Sequence, residues 1–293
     1  MRRLFLFVLF ATVTAAAEDL AVVRSTDLPK TVITSKSARV LGKGQSVEFT
    51  GDVTLTRGND FMSADRLVTE DNNNVARAWG QVFFRRDGAE EPVRWEAWGD
   101  RAVYDTSLAS GTLWGERQPA RSRRTPNGVV AMAGGVVEMV APEISFLRVS
   151  RSTGTSDFSA GIVNGRGGVY LKSLEAGPPS RVTELWAERS DFDGPADRFR
   201  LSGAFAPKGA FVPGGEGPWH GGAAPEGGPP SPLDRPYARQ SQGREKRELR
   251  GEIIVLHPSS RRLEVERAVQ AYLLFEPGRS PATEGKEKKG KEK

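Results

Sequence analysis

Asp65-Arg66 and Asp100-Arg101 come nearest, of anything in this chain, to a catalytic set. Two carboxylates, each beside a guanidinium, can share the work of a proton donor and acceptor. Both pairs, however, lie in a segment that repeats. Ser63-Ala64-Asp65-Arg66-Leu67-Val68, followed by Ala78-Trp79-Gly80, returns 35 residues later as Trp98-Gly99-Asp100-Arg101-Ala102-Val103 and Leu113-Trp114-Gly115. Equivalent positions of successive units usually build ladders and turns, with arginines such as Arg66 and Arg101 solvated on the outer face, so no catalytic residue is assigned. His220 and His257 are the two histidines of a chain without cysteine and make no recognisable metal set. No nucleophile-elbow, phosphate-loop or dinucleotide pattern occurs, since Gly165-Arg166-Gly167-Gly168 lacks the helix start such a loop requires. Trp79, Trp95, Trp98 and Trp114 offer faces for sugar rings, though aromatic residues at sheet positions more often pack on neighbouring strands. The expectation is a protein that is not an enzyme and needs no cofactor or metal.

The elements that carry these residues are strands. A looser copy of the repeat runs from Ala187-Glu188-Arg189 to Leu201-Ser202-Gly203, with the Arg-to-Gly spacing of 14 residues found from Arg66 to Gly80 and from Arg101 to Gly115. A degenerate trace at Gly251-Glu252-Ile253 has Arg267 where the glycine would fall. Self-similarity of this kind predicts stacked supersecondary units. Val47 to Thr56 alternates apolar and polar residues with period 2, the mark of a strand buried on one face. Glu70-Asp71-Asn72-Asn73-Asn74 reads as a hairpin turn, and Gly51, Gly80 and Gly115 read as bulges or bends that let a strand change sheets. The fold class expected is all-β, an elongated, curved stack of antiparallel strands with little helix. Its inward set should be Val47, Phe49, Val53 and Leu55, then Met62, Ala64 and Leu67, then Ala78, Val82 and Phe84. Ala76 and Ala78 are small where Val47 and Phe49 are large, which leaves room for a ligand; the alternative is a dry core in which these residues pack on one another.

Both ends look separable from the stack. Met1-Arg2-Arg3, an apolar run and Ala15-Ala16-Ala17 form a signal-peptide pattern over residues 1–17, with a retained inner-membrane anchor as the alternative. Its removal takes away Arg2 and Arg3 and no acid, lowering the formal charge from +5 to +3. That mild balance gives no sign of a nucleic-acid partner. An exported chain without cysteine suits a bacterial periplasm and must hold together by burial and ladder hydrogen bonds. Residues 277–293 are a charged tail expected to be disordered. Residues 206–248 hold 8 of the 19 prolines and 9 of the 33 glycines, so neither strand nor helix is expected there. That segment is read as a disordered insertion in the stack, with an interdomain linker as the alternative.

Residues 32–86, with Gly51-Asp52-Val53, Ser63-Ala64-Asp65-Arg66-Leu67 and Gly80-Gln81-Val82 in order, resemble the OstA-like (LptA) family of lipopolysaccharide-transport proteins, and 98–115 extend the pattern by one unit. The resemblance covers 30–118 well and 184–275 weakly. It implies an open β-jelly-roll whose apolar interior, formed by the inward set above, holds the acyl chains of lipopolysaccharide or another amphipathic lipid. It further implies passage across the periplasm between jelly-roll components at the inner and outer membranes, and the unpaired edges of an open stack predict head-to-tail association of copies. On this reading 18–29 is an N-terminal segment, 30–118 the jelly-roll, 119–205 its continuation or a second, LptC-like jelly-roll, and 249–276 C-terminal strands. Two rivals stand beside it: a secreted structural or adhesion protein of the envelope, with a closed interior, and a β-helix enzyme acting on polysaccharide, which would need acids converging on one groove.

Overall fold

The computed structural model describes residues 30–42, 46–70, 74–87, 93–126, 135–147, 161–175, 179–194, 196–206, 234–243, 245–267 and 270–275. The signal-peptide and tail expectations, most of the Pro/Gly-rich segment and His220 lie outside them. The described residues form strands and turns without a helix. In chain order the strands are β1 (Val32–Thr34), β2 (Ser37–Leu41), β3 (Ser46–Arg57), β4 (Asp60–Glu70), β5 (Val75–Asp87) and β6 (Val93–Asp105). Next come β7 (Ser110–Trp114), β8 (Ala120–Pro126), β9 (Val136–Ala141), β10 (Glu143–Leu147), β11 (Ile162–Glu175) and β12 (Arg181–Asp193). The last are β13 (Arg198–Ser202), β14 (Tyr237–Gln242), β15 (Glu245–Arg250), β16 (Ile253–His257), β17 (Arg262–Glu266) and β18 (Gln270–Phe275). Every pairing is antiparallel.

Two kinds of rung build the stack. Long strands β3, β4, β5, β6, β11 and β12 each run through two facing leaves, and pairs of short strands take the same place elsewhere. Thus β6 pairs with β7 through Arg101–Asp105 and with β8 through Val93–Trp98. In turn β7 pairs with β10 and β8 with β9, and β11 rejoins the leaves by pairing with both β10 and β9. The same division recurs at β12, which pairs with β13 on one leaf and β14 on the other. The front leaf therefore contains β2, β7, β10, β13, β16 and β17, and the back leaf β1, β8, β9, β14, β15 and β18. The hydrogen-bonded ladder is unbroken from β1 and β2 to β17 and β18.

The repeat now has a geometric meaning. Arg66 pairs with Trp79, Arg101 with Trp114 and Arg189 with Ser202, so the 14-residue spacing is the path around one hairpin to the glycine just past the paired residue. That glycine is where the chain turns between leaves. At Gly51-Asp52 and Gly80-Gln81 two residues face one across the ladder, all four with positive φ (77° and 49°, 74° and 44°). A bulge of this sort bends the strand and sharpens its twist. A Cβ at Gly80 would run into the Asp65 side chain, which is why the acid of the repeat sits opposite a residue without one. In the degenerate copy Arg267 itself adopts φ 60°, and Glu252 N–H donates to its carbonyl at 3.3 Å as Glu188 N–H donates to that of Gly203 at 3.2 Å. The bend survives the loss of the glycine.

One expectation needs correction. β14 and the start of β15 fall inside 206–248, so the strand-free segment ends before Tyr237. The Pro/Gly bias stops at Pro236, and beyond it Tyr237 and Ala238 are buried against β12. Averaging composition over the whole window hid a six-residue strand.

Candidate functional site

Inward residues of both leaves form one apolar cluster that runs the length of the stack, from Val53 and Leu55 at one end to Ile254 and Leu256 at the other. Side-chain size grades across it. Ala64, Ala78, Ala102, Ala120, Ala141 and Ala187 lie beside the bends, where the leaves converge. Aromatic rings fill the far side, where the leaves stand apart and their turns face each other. There Phe84 of the back leaf stacks on Phe146 of the front leaf at 4.5 Å, and Trp95 meets Phe192 at 5.2 Å. The interior is thus a wedge, narrow at the glycine bends and wide at the turns.

The wide side carries charge. On the back leaf, Arg57, Asp60, Arg86, Trp95 and Arg124 are register partners in one inward row. Arg86 holds Asp60 through two hydrogen bonds, Nε to Oδ1 at 2.6 Å and Nη2 to Oδ2 at 2.9 Å. Tyr104 of the front leaf donates its hydroxyl to Asp60 Oδ2 at 2.9 Å, and Arg86 Nη2 reaches the carbonyl of Ala109 in the front-leaf turn at 3.3 Å. Burial, with the Asp60 carboxylate alongside, pushes the Tyr104 phenol above its usual range, so it stays a donor. Farther along, Arg124 Nη2 donates to Asp197 Oδ1, in the front-leaf turn between β12 and β13, at 2.9 Å.

The outer faces are ordered differently. On the back leaf Arg85, Glu96, Arg123, Glu138, Lys172, Glu184, Arg239 and Glu248 follow one another across successive strands, so every charge has an opposite charge as its cross-strand neighbour. Burial alone would raise the Glu138 carboxyl; hydrogen bonds from Arg123 and Arg121 outweigh it and hold it below the usual carboxylate range. On the front leaf Arg66 lies over the Trp79 ring at 5.0 Å and Arg101 over Trp114 at 4.6 Å.

A jelly-roll of this kind, with a closed apolar interior and no clustered catalytic groups among the described residues, has a sequence counterpart. Residues 32–118 match the family model described as "LptA/(LptD N-terminal domain) LPS transport protein". Over residues 32–118 the chain is similar to that family. Among solved structures, LptH from Pseudomonas aeruginosa, described as the LptA-homologous periplasmic component of the conserved lipopolysaccharide transport device, shares 16% identity over 45% of this chain and 90% of its own, with a TM-score of 0.34. That score is too low to support a structural argument. No curated protein matches the chain.

Within residues 32–118, Val53, Leu55, Met62, Ala64, Leu67, Ala78, Val82 and Phe84 all line the interior, none more than 7% exposed. Phe49 is half-buried and packs against them. Val47 is half-buried and stands apart from this cluster, beside its register partner Val40 on the end rung, which is 63% exposed. Ala76 and Ala78 are wholly buried, so the space beside them is already filled by neighbouring side chains. Of the four tryptophans considered for sugar stacking, Trp95 points inward, while Trp79, Trp98 and Trp114 lie on outer faces beneath or beside arginines. Asp100 serves a turn: its Oδ2 accepts the Glu116 and Arg117 N–H groups at 2.7 and 2.8 Å. His257 Nε2 lies 3.2 Å from Glu264 Oε1.

The polar row on the wide side escaped the sequence reading, which took charged residues of a strand to face water. Asp60 and Arg86 share the parity of Met62 and Phe84, and that parity was the available signal.

Proposed function

We propose that this chain is a periplasmic carrier or bridge for lipopolysaccharide, binding acyl chains in the wedge between its leaves and passing the lipid from the inner towards the outer membrane. The observation that carries the reading is the single apolar cluster continuous through the whole stack, in a chain whose residues 32–118 match an LPS-transport family. A hydrocarbon chain needs no catalytic group to be held there, since each buried methylene contributes about 0.8 kcal/mol. The stretch beyond residue 118 extends the same trough, so the whole acts as one long carrier. The rival reading, a structural envelope protein, draws on the interior being filled by its own side chains.

Photo-crosslinking decides between them. Probes at Phe49 and Val82, inside, should capture added lipopolysaccharide, and probes at Thr54 and Arg77, outside, should not. Equal labelling inside and out, or none anywhere with the β circular dichroism signal intact, would favour the structural reading.

Partners of the carrier should add at its ends. Among the described residues each of β1, β2, β17 and β18 pairs on one side only, and Val32 and Val40 are 57% and 63% exposed. Unpaired edge strands accept a further strand, so a second copy or a related jelly-roll continues the leaves head to tail without closing a ring. Sedimentation velocity should show association that grows with concentration; a strict monomer at high concentration is the contrary result.

A further inference from the structure

We propose that the wide side of the wedge is a lateral mouth for the lipid, held shut by two polar latches, Asp60–Arg86–Tyr104 and Arg124–Asp197. The inference rests on the carrier reading above and adds where the acyl chains pass. The interior is filled in the closed form, so acyl chains can be admitted only if the leaves part. The narrow side cannot part, because the long strands run through it and covalently join the leaves. Among the described residues the leaves meet at the wide side through turns and side chains alone.

What holds that side is chemically distinct from the rest of the interior. The inward row at the mouth contains Arg57, Asp60, Arg86 and Arg124 with Trp95 between the last two, and the row immediately behind it contains Leu55, Met62, Phe84 and Met139. Alongside the ring pairs Phe84–Phe146 and Trp95–Phe192, three polar contacts bridge the leaves there: Tyr104 hydroxyl to Asp60, Arg86 to the Ala109 carbonyl, and Arg124 to Asp197. Asp60 is 4% and Arg124 5% exposed, so both carry a desolvation cost that an apolar pair would not. A charged clasp has one property that an apolar one lacks. When the leaves separate, its groups regain water, and the net cost of breaking each contact is small. Apolar contacts give up their full burial on opening. Asp60–Arg86 lies within the back leaf and stays paired as the mouth opens, so the carboxylate that Tyr104 releases is never left alone.

Two variants and one cross-bridge test this. Tyr104→Phe and Arg124→Met each remove a bridging hydrogen bond and leave the apolar wall intact, Asp197 keeping the Ser259 N–H. Stopped-flow uptake of a fluorescent lipopolysaccharide should be about fivefold faster in each, as the loss of one hydrogen bond of ordinary net worth implies, with the amount bound at saturating lipid unchanged. The chain has no cysteine, so Arg124→Cys with Asp197→Cys, joined by a short cleavable dithiol reagent, closes the mouth covalently and specifically. Bridging should abolish uptake, and cleavage should restore it. Uptake at the unmodified rate in both single variants, or unimpeded uptake by the bridged protein, would overturn the lateral mouth while leaving the carrier reading intact. An absence of bound lipid at equilibrium in every form, with the β signal preserved, would overturn the carrier reading and this inference with it.

Discussion

Phe84→Ala should lower the stability of the stack by about 3–5 kcal/mol, the range for removing a large buried aromatic. Phe84 is 5% exposed and stacks across the leaves on Phe146 at 4.5 Å, with Tyr104 at 5.9 Å on the same side. Arg86 lies over its ring at 5.6 Å, so truncation also removes the surface on which the buried guanidinium rests. No disulfide limits the unfolded state of this protein, and the loss falls entirely on packing. Phe84→Leu keeps most of the volume and should cost less than about 1.5 kcal/mol. Chemical denaturation of the two variants beside the parent reads both values. A Phe84→Ala cost under about 1 kcal/mol would mean that the leaves close over the void, a much softer wedge than the interlocked rings imply.

What the sequence disclosed follows from which contacts are local. The Arg-to-Gly spacing is a property of one hairpin, so it was visible without the fold, and it located the bends at Gly80 and Gly203. Alternation within β3, β4 and β5 separated the two faces, and eight inward residues followed from parity alone. Arg267 misled because a residue type stood for a backbone conformation: its φ of 60° does the work of the missing glycine. The charged row at the mouth was illegible for a different reason. Arg124 meets Asp197, 73 residues on, and Tyr104 meets Asp60, 44 residues back, and pairs so distant depend on which strands become neighbours. The alternating charges of the back leaf are of the same kind. Arg85, Glu96 and Arg123 look unremarkable one at a time and form a ladder only once β5, β6 and β8 lie side by side.

Trp186→Ala should cost a further value of about 3–5 kcal/mol, although Trp186 faces away from the interior. Its ring is fully buried on the outer face of the back leaf, between Tyr170 at 5.3 Å and Tyr237 at 5.4 Å, which are its register partners on β11 and β14. Val140 and Phe205 complete this small second core, and Arg239 lies over the Trp186 ring at 5.2 Å. Trp98 occupies the same outer row but is only half-buried, with Phe83 and Arg121 as neighbours. Trp98→Ala should therefore cost less, about 1–2 kcal/mol, because solvent already reaches part of the ring. The difference bears on how the C-terminal half is built. β14 follows the Pro/Gly-rich segment and reaches the stack through Tyr237, so the aromatic cluster fastens a strand that the chain returns from a distance. In urea, Trp186→Ala should unfold β13 to β18 before residues 32–118, giving two transitions where the parent gives one. A single transition shifted as a whole would show that the halves fold as one unit, with the apolar wedge rather than the outer cluster joining them.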